Sequence, residues 1–225
     1  MTELKIKLTL QYKALSKMKE TNNYEQDLAS IRQLMERSSR FISLSGLSGV
    51  FAGTYALIGA FVAYLLIYYP NSPFGYRFVY VNEMETLFKL LLTGTLVMGA
   101  SIFTGIWFSL RKAKKEGLSY WDHNSKRFLI NICIPLLTGG LFVFALMLRG
   151  NLGFAAPATL IFYGLSLVNA STHTYTEIRY LGLLEVALGL LCAFFPGYGL
   201  IFWSLGFGVL HVVYGTVMYV KYDRN

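Results

Sequence analysis

Long apolar runs separated by short polar segments make up most of this chain from residue 41 onward. An apolar run of about 20 residues lets a helix cross the roughly 30 Å hydrocarbon core of a bilayer. Six runs come close to this length and predict an all-α integral membrane bundle of six transmembrane helices: Phe41–Tyr69, Leu90–Leu110, Phe128–Leu148, Leu152–Ala170, Tyr180–Phe195 and Leu200–Val220.

The last two runs are separated only by the sequence Pro196-Gly197-Tyr198-Gly199. Without a turn, the 41 residues from Tyr180 to Val220 would form a helix far too long for one crossing. Proline and glycine in adjacent positions are strong turn signals. We therefore expect a tight helical hairpin at this point.

The first 40 residues are polar and highly charged, and we expect them to form a cytoplasmic region. Asn22 can cap a helix together with Glu25, three residues later. Apolar residues then recur at helical spacing: Tyr24, Leu28, Ile31 and Met35. The pattern predicts an amphipathic helix that lies on the lipid surface or continues as a stalk from the first span. The domains are thus an arm with this helix over 1–40 and a six-helix domain over 41–225.

The composition agrees with a membrane protein. Of the 225 residues, 55% are hydrophobic and 14% are charged, whereas soluble domains are about 45–50% apolar. A water-soluble fold could not bury so much apolar surface. Six spans also leave no room for a sizeable soluble catalytic domain.

Basic residues are divided unequally between the two sides of the predicted spans. One side carries 17 of the 20 Lys and Arg residues, and the other carries only Arg77, Lys89 and Arg149. Short loops rich in Lys and Arg stay in the cytoplasm. This division predicts that both termini are cytoplasmic. It also explains the net charge of +8 without nucleic-acid binding.

The segment Arg111–Arg127, between the second and third spans, carries six basic residues and Trp121. We expect it to lie against anionic lipid headgroups on the cytoplasmic face, where each close basic group contributes about 1 kcal/mol. The alternative is a solvated loop that only sets topology. A protein partner or a second copy of the chain is also compatible with the basic surfaces.

Small residues recur along three of the predicted spans. In lipid, such residues let helix backbones approach closely. The first span has Ser45, Gly49 and Gly53 at intervals of four; the fifth has Gly182 and Gly189, and the sixth has Gly208 and Gly215. We expect all of them to serve helix packing, with the fifth and sixth stripes facing each other across the hairpin.

Two ionisable residues lie within these last two spans. Glu185 is 11 residues before Pro196 and His211 is 12 residues after Gly199. At 1.5 Å per residue, both lie about 16–18 Å from the hairpin turn. An isolated charge in the bilayer costs about 3 kcal/mol or more. We therefore expect the two side chains to face each other inside the bundle, directly or through one water.

The role of this pair stays open from the sequence: a structural hydrogen bond, a proton relay or part of a polar substrate site. Asn131 and Thr138 share a face of the third span and, with Ser204 of the sixth, are candidates for lining the same cavity. Such residues also serve as polar contacts between membrane helices.

Catalytic and cofactor motifs are not evident. Three histidines make a dense metal or haem site improbable, and Cys133 and Cys192 both lie in apolar runs. Six spans, the Gly46-Leu47-Ser48-Gly49 run and His211 resemble rhomboid intramembrane serine proteases. However, Ser48 lies in the first span near its cytoplasmic end, whereas the catalytic serine of that family is in the fourth. We expect neither an enzyme nor a cofactor.

A broader resemblance rests on two runs, Ile31–Gly49 and Phe195-Pro196-Gly197-Tyr198-Gly199. They resemble a family of small multipass proteins from Bacteroidota bacteria, and the similarity extends from about residue 24 to the end of the chain. This resemblance implies a bacterial inner membrane. It implies nothing about a substrate, because no activity is assigned to that family.

Two function classes follow from these observations. The first is a noncatalytic scaffold, partner or regulatory subunit that acts through its basic cytoplasmic surfaces. The second is a small transporter or channel with a polar intramembrane site at Glu185 and His211. A large water-accessible cavity around this pair would favour transport, whereas a filled interior would favour the scaffold.

The predicted topology can be tested by cysteine labelling in a background without Cys133 and Cys192. A membrane-impermeant thiol reagent added to intact cells should label single cysteines at Asn151 and Tyr198. Cysteines at Asn23 and Asn225 should react only after the membrane is permeabilised, because the basic loops hold both termini inside. Labelling at Asn23 in intact cells would contradict this topology.

Overall fold

A computed structural model describes residues 44–69, 84–115, 117, 121 and 123–224 of the chain. These residues form helices and connecting turns, with no strand among them. The long helical segments are α1 Gly46–Ile67, α2 Met84–Lys115, α3 His123–Leu148, α4 Ala155–Ala170, α5 Thr176–Phe194 and α6 Gly199–Asp223. Short 3₁₀ turns, Leu152–Phe154 and Ser171–His173, flank α4. The predicted all-α membrane bundle is confirmed.

Five helical segments of the described residues are long and apolar enough to cross a membrane: α1, α2, α3, α6 and α4 with its flanking turns. The remaining helix, α5, has 19 residues and includes Glu177, Arg179 and Glu185. The amphipathic helix predicted from Asn22 lies outside the described residues, as does the predicted start of the first span at Phe41.

The helices α2 and α3 both extend into the segment between the second and third predicted spans. α2 continues to Lys115 and α3 begins at His123, so much of Arg111–Arg127 is helical. Lysine and arginine are good helix formers. Basic residues in the last turn of α2 also compensate the helix dipole. At 32 residues, α2 is about 48 Å long, more than the bilayer core requires.

Four helices, α1, α4, α5 and α6, form the interior, and α2 and α3 lie at the edges. α1 packs against α2 and α6, α4 packs against α3 and α5, and α6 also contacts α4 and α5. No residue in the apolar window of α2 is buried. The outer faces of α2 and α3 are therefore apolar surfaces suited to lipid.

Close backbone contact joins α1 to α6. A Cβ atom placed on Gly53 would lie 2.6 Å from the carbonyl oxygen of Gly208, and one on Gly49 would lie 3.0 Å from Cα of Gly215. Side chains at these positions would push the helices apart. The small-residue stripe of the first span therefore packs on the stripe of the sixth.

A second close contact joins α4 to α5. A Cβ atom on Gly182 would lie 2.7 Å from the carbonyl oxygen of Gly164, and one on Gly189 would lie 2.9 Å from the backbone nitrogen of Ile161. The expectation that the stripes of the fifth and sixth spans face each other is thus not what the structure shows. The reason lies at the hairpin contact, where Gly206 of α6 packs against the Glu185 side chain instead of a glycine.

The hairpin turn itself follows the expected position. α5 ends at Phe194 and α6 begins at Gly199. Between them, Gly197 has a φ of +91°, a backbone conformation that residues with a Cβ atom rarely adopt. Glycine at this position therefore lets the chain reverse within a few residues.

The α1–α6 contact predicts a large difference between two glycine substitutions. Gly53→Ala should destabilise the bundle by about 1–3 kcal/mol, because the methyl group would overlap backbone atoms of α6 that cannot rotate away. Gly94→Ala is the matched control, since a Cβ atom there meets nothing within 4 Å. Reversible denaturation in detergent micelles measures both. Equal stability of the two variants would contradict the close contact.

Candidate intramembrane polar site

The structure brings Glu185 of α5 and His211 of α6 together inside the bundle. Nδ1 of His211 lies 3.4 Å from Oε1 of Glu185. The Glu185 side chain is fully buried and that of His211 is 8% exposed. The equal distances of the two residues from the hairpin turn explain their equal depth.

His211 makes its hydrogen bonds with other groups. Its Nδ1 lies 3.1 Å from the carbonyl oxygen of Gly206, and its Nε2 lies 2.7 Å from the hydroxyl of Tyr163. A carbonyl oxygen can only accept, so Nδ1 carries the proton and donates it to Gly206. In the neutral ring Nε2 is then an acceptor, and the hydroxyl of Tyr163 donates to it.

Tyr163 is a member of this site that the sequence reasoning missed. It comes from α4, and its ring lies 4.8 Å from that of Phe207 and 5.4 Å from that of His211, measured between centroids. The sequence reasoning considered tyrosines only at span ends. A tyrosine in the middle of an apolar span is a signal in itself, because its hydroxyl needs a partner away from water.

A wide helical turn positions His211. Residues Ser204–Leu210 form a π-helical segment within α6, directly before His211. Such segments are rare and occur often at functional sites. The segment contains Gly206 and Gly208, both buried against neighbouring helices. The absence of side chains at these glycines lets the wider turn fit between α1 and α5.

The carboxyl group of Glu185 has no hydrogen-bond partner among the described residues, at either oxygen. It is enclosed by Gly206 and Leu160, since a Cβ atom on Gly206 would overlap Oε2 of Glu185 and a methyl group of Leu160. The packing is therefore close on the side of this carboxyl group that faces Gly206. A charge left unpaired here would cost about 3 kcal/mol or more.

The candidate cavity residues lie elsewhere. Thr138 is exposed on α3 and its hydroxyl donates to the carbonyl oxygen of Ile134 in its own helix, 2.8 Å away. The carbonyl oxygen of Asn131 accepts a 2.8 Å hydrogen bond from the side-chain amide of Asn169. This contact joins α3 to α4. Because α3 packs mainly on α4, neither residue reaches the Glu185–His211 pair.

Ser204 lines a different space. A groove of about 270 Å³ between α1 and α6 is lined by Leu57, Ala60, Phe61, Tyr64, Leu200, Ile201 and Ser204. The Ser204 hydroxyl donates to the carbonyl oxygen of Ile201, 2.9 Å away in its own helix. The groove is mostly apolar and does not include the Glu185–His211 pair.

A second polar cluster lies where the C-terminal ends of α2 and α6 meet the start of α1. Nζ of Lys112 lies 2.6 Å from Oδ1 of Asp223 and donates also to the Leu44 carbonyl and the Tyr175 hydroxyl, both at 3.2 Å. Both charged side chains are only 9% exposed. We call this group, Lys112 with Asp223, the end clasp.

The clasp also caps α1. Oδ2 of Asp223 accepts hydrogen bonds from the Ser45 hydroxyl at 2.9 Å and from the Gly46 backbone nitrogen at 2.7 Å. Gly46 is the first residue of α1, whose backbone N–H groups favour a negative charge. Ser45, expected to serve helix packing, thus holds the C-terminal end of α6 to the start of α1.

The clasp corrects one expectation about lipid contact. Lys112 belongs to the basic segment predicted to face anionic headgroups, yet its side chain is buried and paired with an aspartate. The sequence reasoning missed Asp223 as its partner. A signal was available, since Asp223 is the only acidic residue after the sixth span, between Lys221 and Arg224.

A neighbouring ion pair, at the N-terminal end of α5, is more exposed. This end of the helix precedes the predicted fifth span, which begins at Tyr180. Lys221 donates to Oε1 of Glu177 at 2.5 Å, and the Tyr222 hydroxyl donates to Oε1 and Oε2 of the same carboxylate at 2.9 and 3.0 Å. Burial raises the pKa of Glu177, but the hydrogen bonds from Lys221 and Tyr222 outweigh it, so the pKa lies below its ordinary value. Glu177 is therefore ionised near neutral pH.

The described residues contain no group of three or more His, Cys, Asp or Glu side chains that could hold a metal ion. No protein-family model, curated protein or solved structure matches this chain. A functional proposal therefore has to rest on the geometry of the polar groups.

The end clasp predicts a contrast between two lysines. Lys112→Met should destabilise the protein by about 3–5 kcal/mol, because it leaves the buried Asp223 carboxylate without its cation. Lys221→Met is the matched control: the Lys221 side chain is 56% exposed, and exposed pairs contribute about 0–1 kcal/mol.

Denaturation in detergent micelles measures both variants. The double variant Lys112→Met with Asp223→Asn should recover part of the loss, since no unpaired charge remains. Similar losses for Lys112→Met and Lys221→Met would show that the clasp does not hold the helix ends together.

Proposed function

We propose that this chain is a noncatalytic scaffold or regulatory partner in a bacterial inner membrane, with both termini in the cytoplasm. The observation that carries the proposal is a set of five exposed cations at the two helix ends that flank the connection between α2 and α3, which we call the basic patch: Arg111, Lys114, Lys115, Lys126 and Arg127. α2 contributes three of these cations and α3 contributes two.

The basic patch differs in kind from the clasp beside it. Lys112 is neutralised by Asp223, whereas none of the five patch residues forms an ion pair with any described residue. Trp121, which is 62% exposed, lies between the two helix ends, and Nζ of Lys126 is 5.8 Å from its ring centroid. Exposed cations and an amphipathic ring at the ends of membrane-spanning helices suit the headgroup region.

Anionic lipid headgroups are therefore the partner that the patch fits best. Cations within a Debye length of an anionic leaflet are attracted to it, and the patch is continuous with two lipid-facing helices. The burial of Glu185 supports a scaffold over a transporter, since the carboxyl group is fully buried and packs close to Gly206.

A second candidate function is a small transporter or channel with its polar site at Glu185 and His211. One observation favours it: both oxygens of a fully buried carboxyl group lack a hydrogen-bond partner among the described residues. Ionisable groups in membrane helices often mark ion or proton pathways. The closed packing around the pair weighs against this candidate.

The patch proposal is tested by replacing Arg111, Lys114 and Lys115 with Gln. Native mass spectrometry of the purified protein should show loss of bound phosphatidylglycerol and no change in bound phosphatidylethanolamine. The expected loss is up to about 3 kcal/mol in lipid affinity, at about 1 kcal/mol per cation.

The control variant replaces Lys89 and Arg149, which are exposed at the opposite ends of α2 and α3, and should retain the anionic lipid. Unchanged phosphatidylglycerol binding in the triple variant would overturn the lipid assignment. The basic residues would then serve topology alone or contact an acidic protein.

A further inference from the structure

The Glu185 carboxyl group faces two titratable side chains from the helices packed against α5. These are His211 from α6 and Tyr163 from α4, and both use their protons elsewhere. The Nδ1–H group of His211 donates to the carbonyl oxygen of Gly206 at 3.1 Å, and the Tyr163 hydroxyl donates to Nε2 at 2.7 Å. No donor among the described residues is therefore left to stabilise a carboxylate at Glu185.

The contact with His211 is too long for a charge-assisted hydrogen bond. Charge-assisted N–H···O bonds between an imidazolium and a carboxylate are about 2.7–2.9 Å long, whereas Nδ1 and Oε1 are 3.4 Å apart. An imidazolium would also carry a proton on Nε2, so the Tyr163 hydroxyl would accept there and its own proton would have no acceptor among the described residues. The hydrogen bonds of His211 therefore fit a neutral ring better than an imidazolium.

The space around the carboxyl group limits what can bind there. A Cβ atom on Gly206 would overlap Oε2, and Leu160 packs against the same position. A metal ion needs several ligand atoms at fixed distances, and an organic ligand needs a cavity. A proton needs neither.

We propose that Glu185 is an intramembrane proton-binding site, at which an O–H bond forms to one carboxyl oxygen while an O–H bond of the donating hydronium ion breaks and leaves water. Release of the proton would leave a carboxylate without a donor. It therefore requires α5 and α6 to separate far enough to admit water, which couples proton release to the hairpin contact. The inference goes beyond the scaffold proposal and does not depend on the basic patch.

Infrared difference spectroscopy of the full chain in lipid nanodiscs tests this site. Near pH 7, where an exposed glutamate with a pKa of about 4.3 is ionised, the wild-type spectrum should contain the carbonyl stretch of a protonated carboxylic acid. Glu185→Gln should remove this band. Glu85→Gln, which changes a carboxylate that is 76% exposed, should leave it unchanged.

Nitrogen-15 NMR of labelled histidine provides a second measurement that needs no Glu185 variant. His211 should give the shifts of a neutral ring protonated at Nδ1, with assignment from the loss of these signals in His211→Gln. An imidazolium signal for His211, or a wild-type spectrum without a protonated carboxyl band at pH 7, would overturn the proposal. Either result would show that a member of the buried pair is charged.

Discussion

The contact of helix backbones through glycine is the constraint on which the rest of the structure depends. Lipid tails are as apolar as the side chains of the helices, so the hydrophobic effect does not drive the helices together. Where Gly53 meets Gly208 and Gly182 meets Gly164, the backbones approach closely. Van der Waals contact at these points holds the helices together. These two contacts set the order of the interior helices, with α6 beside α1 and α5 beside α4.

That order in turn produces the intramembrane polar site. Because Gly182 of α5 and Gly208 of α6 face other helices, the contact between α5 and α6 inside the bundle includes Glu185, Gly206 and His211. The π-helical turn that ends at Leu210 places the His211 ring within reach of the Gly206 carbonyl. A polar group in the hairpin contact costs free energy, whereas a third glycine contact would not, so packing alone does not account for its presence.

The sequence was sufficient for features that depend on one segment at a time. Apolar run length predicted the helices, Pro196 and Gly197 predicted the turn, and counting from that turn predicted the equal depth of Glu185 and His211. Features that depend on which helix lies beside which were not accessible in this way. A glycine stripe specifies close approach but not its partner, and so Gly208 was assigned to the wrong neighbour.

The same limit explains why polar partners were missed. Lys112 and Asp223 are 111 residues apart, and Tyr163 is 48 residues from His211, so no local pattern joins them. Their positions nevertheless follow one physical rule, since a polar group inside a membrane bundle must find a partner there. Lys112, Tyr163 and His211 each satisfy it, whereas the Glu185 carboxyl group does not. Among the buried side-chain groups that the structure describes, this exception distinguishes Glu185 from a residue that serves stability alone.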